Sequence, residues 1–186
     1  MTCGHIKFQV SSGPGPKQRE IPMAKPMNQL DAIVQQINRL PKIARVPVMS
    51  TFFGRAVKFA GTAGIEVEEL TYSRCIVNLK NKKKVQNHIG SVHAVACALI
   101  AESATGFMVG INIPASSVPV IKTMKLDYVK RAKGDMRAEA TLTPEQIEQM
   151  RTTEKGETSV KVVITDGEGK EPVIGEMIWA WTPKRR

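Results

Sequence analysis

Residues 87–102, NHIGSVHAVACALIAE, constrain the fold more than any other part of the chain. Residues 92–105 are apolar on almost every side and predict a helix, which Gly106 is expected to end. A helix this apolar needs cover over most of its surface, and a curved sheet wrapped around it provides that cover. Glu102 is its one acid. Because an unpaired buried charge is costly, Glu102 must be paired, exposed or used in chemistry.

The segments around this helix predict an antiparallel sheet. Six of them are rich in β-branched residues or alternate apolar and polar residues: 66–79, 107–113, 122–130, 136–142, 158–165 and 173–181. The turn between the last two begins with Asp-Gly, which is typical of a hairpin, and hairpin-length connections imply antiparallel pairing. The chain is therefore predicted to be α+β, with an antiparallel sheet around one central helix.

The chain before residue 64 predicts helices preceded by a tail. Apolar residues recur at helical spacing until Pro41 stops the pattern: Leu30, Ile33, Val34, Ile37 and Leu40. A second helix is predicted over residues 50–60, and glycine and proline repeatedly interrupt residues 11–26. We expect a flexible N-terminal tail over residues 1–27, a helical preface over 28–63 and the main domain over 64–183.

The charge of the chain favours an anionic partner. The formal net charge is +10, and residues 1–65 carry a net +7. Aromatic residues make up only 5% of the chain, and no basic–aromatic stacking pattern is present, so nucleic acid is not expected as the partner. A small molecule that carries phosphate groups fits the same charge.

The location predicted from composition is the cytoplasm. Cys3, Cys75 and Cys97 are an odd number without close spacing, which favours reduced thiols. No signal peptide or membrane span is expected, because no apolar run reaches roughly 18 to 20 residues. His88 and His93 have no convincing ligand partner, so no metal site is expected.

The stretch NHIGSVHAVACALIAESATG, between one strand and a run of antiparallel strands, resembles the hotdog-fold acyl-CoA thioesterases of the phenylacetate-degradation (PaaI-like) type. In that family Asn-x-x-Gly-x-x-His leads into the central helix, and an acid follows fifteen positions after the Asn. Asn87, Gly90, His93 and Glu102 have this spacing. The helical preface and NHIGSVHA are most similar to an uncharacterised branch of the superfamily.

The resemblance implies a hotdog domain that hydrolyses an acyl-CoA to free acid and CoA. Coenzyme A is then part of the substrate, and no separate cofactor is expected. Two subunits would pair with antiparallel central helices, as a homodimer or a dimer of dimers, so that the helix start of one chain meets Glu102 of the other. Within one chain the two ends are too far apart, because eight residues of helix span roughly 12 Å.

Each residue of the predicted site has an expected role. The N–H groups of His93 and Ala94 at the helix start would bind the oxyanion. Glu102 would act as general base or nucleophile, with a pKa raised by apolar neighbours. Asn87 would orient the water or the thioester oxygen, and Thr105 would assist.

Simpler interpretations stay open for the same residues. Asn87 would merely close a turn, and Ser91 would cap the helix. Cys97 would be inert packing. Three successive lysines would either bind the phosphates of coenzyme A or form a solvated turn: Lys82, Lys83 and Lys84.

Two other functions remain as alternatives. Many active relatives have His-Gly-Gly where this chain has His93-Ala94-Val95, which favours a non-catalytic hotdog module that binds acyl-CoA or a related ligand. The basic N-terminal region favours, in third place, an interaction protein that binds nucleic acid or an anionic membrane.

Overall fold

The structure, a computed structural model, describes residues 26–184. Nearly all of the predicted tail, including Cys3, lies outside these residues. The helices are α1 (Gln29–Asn38), α2 (Lys42–Ala56), α3 (Lys58–Ala63), α4 (Ala94–Asn112) and α5 (Pro144–Thr152), with a 3₁₀ turn at Lys83–Val85. The strands are β1 (Glu66–Leu70), β2 (Arg74–Leu79), β3 (Ser117–Tyr128), β4 (Met136–Thr141), β5 (Gly156–Asp166) and β6 (Val173–Pro183).

The six strands form one antiparallel sheet in the order β1-β2-β4-β5-β6-β3. Helix α4 packs across β2, β4, β5, β6 and β3, and most of its residues are buried. The predicted α+β class and the hotdog arrangement, a sheet around one central helix, are confirmed. Strands β1 and β3 form the two edges of the sheet and lie at opposite ends of the strand order.

Helix α4 is longer than the sequence predicts. It runs through Gly106 to Asn112, so residues 107–113, predicted as a strand, are mostly its last turns. Gly106 does not end the helix, because its role is close packing: a Cβ there would lie 2.7 Å from the Trp179 ring. At 19 residues and a mean hydropathy of 1.8, α4 has the length and composition of a membrane span, contrary to expectation. It is instead the core helix of this fold, largely enclosed by the sheet.

The predicted strand over residues 66–79 is a hairpin of β1 and β2, joined by a tight turn in which the Thr71 hydroxyl accepts a hydrogen bond from the Arg74 N–H. The predicted number of six strands is therefore right, although residues 66–79 form two strands and residues 107–113 form none. Helix α5 was not predicted, yet its start has a signal. Thr143 and Gln146 form a reciprocal capping box, and Pro144 is the first helical residue.

The N-terminal helices cover α4 and the β1 edge of the sheet. Helix α1 ends before Pro41 as predicted, whereas α2 begins well before residue 50 and accommodates Pro47 in its second turn. The Phe53 ring of α2 stacks on Phe107 of α4 at 4.0 Å between centroids. Asn28 caps α1 and also donates to the carbonyl of Gly110 in α4. These contacts fix α1 and α2 against the core helix.

Candidate active site

The loop before α4 is shaped by Asn87 and Gly90. The Asn87 Oδ1 atom accepts hydrogen bonds from the N–H groups of Ile89 and Ser91, each at 3.1 Å, so its carbonyl oxygen closes a turn. Gly90 has a φ of 76°, in the left-handed region that favours glycine. The shape of this loop therefore depends on both residues, and the amide NH₂ of the Asn87 side chain remains to donate to a ligand.

Arg131 holds this loop in place, a role that no pattern in the sequence predicted. Its Nε atom donates to the Ser91 hydroxyl at 3.2 Å, and its Nη2 atom donates to the Ile89 carbonyl at 2.9 Å. Two hydrogen bonds from one guanidinium fix the loop relative to the segment after β3. The position of Asn87 thus depends on Arg131.

The start of α4 offers one open amide where two were expected. The His93 N–H donates to the Val85 carbonyl at 2.8 Å, so it is not available to an oxyanion. The Val95 N–H donates to the imidazole Nδ1 of His93 at 3.1 Å. His93, not Ser91, is therefore the N-cap. Within residues 26–184, the Ala94 N–H has no hydrogen-bond acceptor, and it lies at the positive end of the helix dipole.

The His93 ring is exposed, and its Nδ1 atom forms the cap. Because its Nδ1 atom accepts from Val95, the proton of the neutral ring lies on Nε2. The Nε2–H group is thus free to donate to a bound ligand. Sequence reasoning assigned His93 a backbone role, whereas the structure makes its side chain the exposed polar group at the helix start.

Tyr128, at the end of β3, also contacts the helix start. Its hydroxyl donates to the Ala94 carbonyl at 2.7 Å. This bond connects β3 to the first turn of α4 and leaves the Ala94 N–H untouched. The alternation of residues 124, 126 and 128 predicted the strand but did not identify this contact.

Glu102 is half-buried on α4, and burial raises the pKa of its carboxyl, as expected from its apolar neighbours. The Ser103 hydroxyl donates a long hydrogen bond of 3.4 Å to the carboxylate, which opposes that shift only in part. No cation of the described chain lies within ion-pair distance of Glu102. Glu102 therefore forms no ion pair within residues 26–184, which leaves exposure or use in chemistry as the explanations for an acid in this helix.

Thr105 is fully engaged in the core. Its hydroxyl donates to the Ala101 carbonyl at 2.9 Å and accepts from the Trp179 indole Nε1 at 2.9 Å. The side chain has no exposed surface. These contacts favour a structural role in which Thr105 anchors the sheet to α4, and its expected assisting role in chemistry stays a prediction.

Of the three candidate phosphate-binding lysines, two are open. The Lys84 Nζ atom donates to the Thr62 carbonyl of α3 at 2.7 Å, which makes it a structural contact. Lys82 and Lys83 are exposed and form no ion pair within the described chain. The neighbouring Lys80 pairs with Asp135 at 3.1 Å. Lys82 and Lys83 are therefore the two of these three lysines whose ammonium groups form no hydrogen bond or ion pair within residues 26–184, which makes them the better candidates for contact with an anionic ligand.

The two thiols within residues 26–184 offer no competing site. Cys97 follows His93 by one turn, but burial raises the pKa of its thiol to about 11, which leaves it protonated at neutral pH. Cys75 is buried, and its pKa is also raised. Among residues 26–184, no group of three His, Cys, Asp or Glu side chains is placed to hold a metal ion.

Known proteins with similar structures share the fold described above. Residues 46–181 match a family described as a domain of unknown function (DUF4442). A Pseudomonas aeruginosa protein of unknown function, described as a probable thioesterase, is similar at 25% identity with a TM-score of 0.67, over 78% of this chain and 97% of its own. A Staphylococcus aureus thioesterase, solved as a mutant, is similar at 16% identity with a TM-score of 0.59, over 68% of this chain and 100% of its own.

A Haemophilus influenzae thioesterase is similar at 11% identity with a TM-score of 0.58, over 77% of this chain and 92% of its own. Identities of 11% and 16% establish a shared fold and nothing finer. The comparison with curated proteins finds no match.

Proposed function

The chain belongs to the DUF4442 family, and we propose that this member hydrolyses an acyl-CoA thioester to a free acid and CoA. The observation that carries the proposal is the combination, on one core helix, of the open Ala94 N–H and the unpaired, half-buried Glu102. An amide at a helix start stabilises negative charge, and a carboxylate with a raised pKa takes up protons efficiently near neutral pH.

The two groups would act across two subunits. They are eight residues apart on α4, or about 12 Å along its axis, so one chain cannot bring both to the same carbonyl. Strand β3 is a twelve-residue edge of the sheet with exposed apolar side chains: Val118, Val120, Met124 and Tyr128. An edge of this kind is suited to pairing with a second copy. A homodimer, or a dimer of such dimers, would then align α4 of one chain against α4 of the other.

In this arrangement Glu102 would take a proton from a water molecule, whose oxygen attacks the thioester carbonyl carbon. The negative charge on the carbonyl oxygen would be stabilised by the Ala94 N–H of the facing chain. Collapse of the tetrahedral intermediate breaks the carbon–sulfur bond, and the CoA thiolate leaves. Alternatively, Glu102 attacks directly and forms an anhydride that water then cleaves.

The exposed groups around the helix start would bind the rest of the substrate. Lys82 and Lys83 would attract the phosphates of coenzyme A, since they are exposed cations beside the loop and their ammonium groups have no partner within residues 26–184. The His93 Nε2–H and the amide NH₂ of Asn87 would donate to the thioester region. The free, buried thiols of Cys75 and Cys97 fit the reducing cytoplasm in which acyl-CoA would be met.

A CoA-release assay across acyl chain lengths tests the proposal. The unmodified protein is expected to release CoA from at least one acyl-CoA, and Glu102→Gln is expected to lose most of that activity. Hydrolysis in ¹⁸O-labelled water under single-turnover conditions separates the two mechanisms, because only the anhydride route places label in Glu102. No turnover with any chain length would remove the proposal.

The hydrogen bond of the His93 N–H favours a second candidate function. Since its N–H is taken by the Val85 carbonyl, one donor remains at the helix start instead of two. This favours a module that binds acyl-CoA without cleaving it. Such a module would show a rise in Tm with acyl-CoA and no CoA release, whereas the hydrolase would show both ligand binding and product.

A further inference from the structure

The outward side of α2 and α3 exposes large apolar side chains. Ile43 is 89% exposed and Phe59 is 58% exposed, values far above those expected for residues of this type. We call these residues, with three further exposed ones, the preface surface: Leu40, Ile43, Val48, Val57 and Phe59. A cluster of exposed apolar residues on adjoining helices marks an interaction surface.

A shallow groove lies along the same side of α2. It is lined mainly by apolar groups, together with the guanidinium-bearing Arg55: Pro47, Val48, Thr51, Phe52, Arg55 and Ala56. Close contacts lie beneath the groove. Phe52 packs edge-on against Phe53, with 5.1 Å between ring centroids, and α2 and α3 meet closely at Gly54 and Gly61. These contacts join α2 to α3 beneath the groove.

The helices that carry the preface surface have an excess of positive charge, and Arg55 lines the groove itself. Residues 26–63 carry five cations, namely Arg39, Lys42, Arg45, Arg55 and Lys58. The only acid in this range, Asp31, is buried and accepts hydrogen bonds from the Gln35 side chain and the Met27 N–H. Lys42 pairs with Glu68 of β1, whereas the other four cations form no ion pair with the described chain. Apolar side chains flanked by unpaired cations are typical of helices that lie in a lipid interface.

We propose that the preface surface binds the surface of a bilayer that contains anionic lipid. Ile43 and Phe59 would enter the boundary between headgroups and acyl chains, and Arg55 and Lys58 would contact lipid phosphates. This inference is independent of the thioesterase activity. It identifies a second site of the molecule, on the helices that cover the β1 edge of the sheet.

Two other occupants fit the surface less well. A second copy docking here would bring two clusters of cations together, which is unfavourable, and β3 at the opposite sheet edge already provides a pairing edge. A nucleic acid would use the cations but would leave Ile43 and Val48 exposed, since aliphatic side chains do not stack on bases.

Vesicle co-sedimentation of the full chain tests the proposal. We compare phosphatidylcholine vesicles with vesicles that also contain about 30% phosphatidylserine. Binding is expected to be at least about tenfold stronger on the anionic vesicles, because several cations act together. The variant Ile43→Ser/Phe59→Ser should weaken it by about tenfold, since two apolar side chains no longer leave water. Arg55→Gln/Lys58→Gln should weaken it to a similar degree.

The matched control is Lys155→Gln/Lys161→Gln, which removes the same charge from exposed positions around β5. It should leave binding within about twofold of the unmodified protein. Equal weakening by this control, or full binding by Ile43→Ser/Phe59→Ser, would reduce the interaction to general electrostatic attraction and overturn the proposal. So would a change of oligomeric state in Ile43→Ser/Phe59→Ser, measured by light scattering, because the surface would then be an interface between copies.

Discussion

The Trp179 indole Nε1 donates a 2.9 Å hydrogen bond to the Thr105 hydroxyl, at the point where β6 crosses the middle of α4. Both side chains are buried. We expect Thr105→Val to lower the free energy of unfolding by about 1 to 3 kcal/mol, because it leaves the buried indole N–H without an acceptor. Thr105→Ser keeps the hydroxyl and should cost less. Thermal unfolding measures the difference.

Activity separates this structural role from a catalytic one. If Thr105 only anchors Trp179, both variants should retain kcat at a temperature well below their Tm. A large loss of kcat in folded Thr105→Val, with kcat retained in Thr105→Ser, would show that the hydroxyl takes part in chemistry and would contradict the structural assignment.

The pH dependence of the reaction should follow Glu102. Burial raises the pKa of this carboxyl above its ordinary range, and a general base must be ionised. We expect kcat/KM to fall as the pH drops through this raised pKa, so the acidic limb should lie above pH 4.5, the ordinary value for glutamate. Glu102→Gln should lack this limb in whatever activity remains. A limb that persists unchanged in Glu102→Gln would assign it to another group.

The same shift has an opposite consequence for stability. Because the folded state holds the Glu102 proton more tightly than the unfolded state, its contribution is full below the unfolded pKa and is lost as the pH rises through the folded pKa. Glu102→Gln should therefore raise Tm at neutral pH and have little effect at pH 4. A roughly 1 kcal/mol gain corresponds to about 2 to 4 °C in a chain of this size.

The fold was predictable because its dominant signals are local. Alternation along residues 136–142 and the Asp-Gly turn after β5 predict β4 and the β5–β6 hairpin directly. The errors come from contacts between distant residues. Gly106 was predicted to end the helix, but the helix continues past it. The residue is glycine because the Trp179 ring occupies the space that a side chain would need.

In the candidate site, too, the features set by neighbouring residues were predictable and those set by distant contacts were not. The raised pKa of Glu102 follows from its apolar neighbours in the sequence. In contrast, the bond from the His93 N–H to the Val85 carbonyl depends on the path of the preceding loop, and no spacing rule predicts it. The engagement of Lys84 by the Thr62 carbonyl likewise depends on where α3 ends.

The lysines beside the loop should differ in their effect on substrate binding. We expect Lys82→Ala/Lys83→Ala to raise KM for acyl-CoA several-fold at low salt, with kcat nearly unchanged, because exposed cations contribute modest, screened attraction. The matched control is Lys84→Ala, whose Nζ atom is bound to α3. Its KM should stay near that of the unmodified protein. Equal effects of both changes would count against a phosphate-binding role for Lys82 and Lys83.

The Ala94 N–H can be removed with little disturbance of the backbone. Ala94 is the first residue of α4, a position that tolerates proline, and His93 has the extended conformation (φ −64°, ψ 144°) that proline requires before it. Ala94→Pro should lower kcat by about 100- to 1000-fold if this amide stabilises the oxyanion. Ala94→Ser, which keeps the N–H, is the control and should remain active.

Mixed dimers then test whether the site is shared between subunits. In a dimer of one Ala94→Pro chain and one Glu102→Gln chain, a shared site places both defects together and leaves the other site intact. Such dimers, isolated with two affinity tags after co-expression, should recover about half the activity of the unmodified dimer. If each chain used its own Ala94 and Glu102, every site would carry one defect. Mixed dimers as inactive as the two parent variants would therefore exclude the shared site.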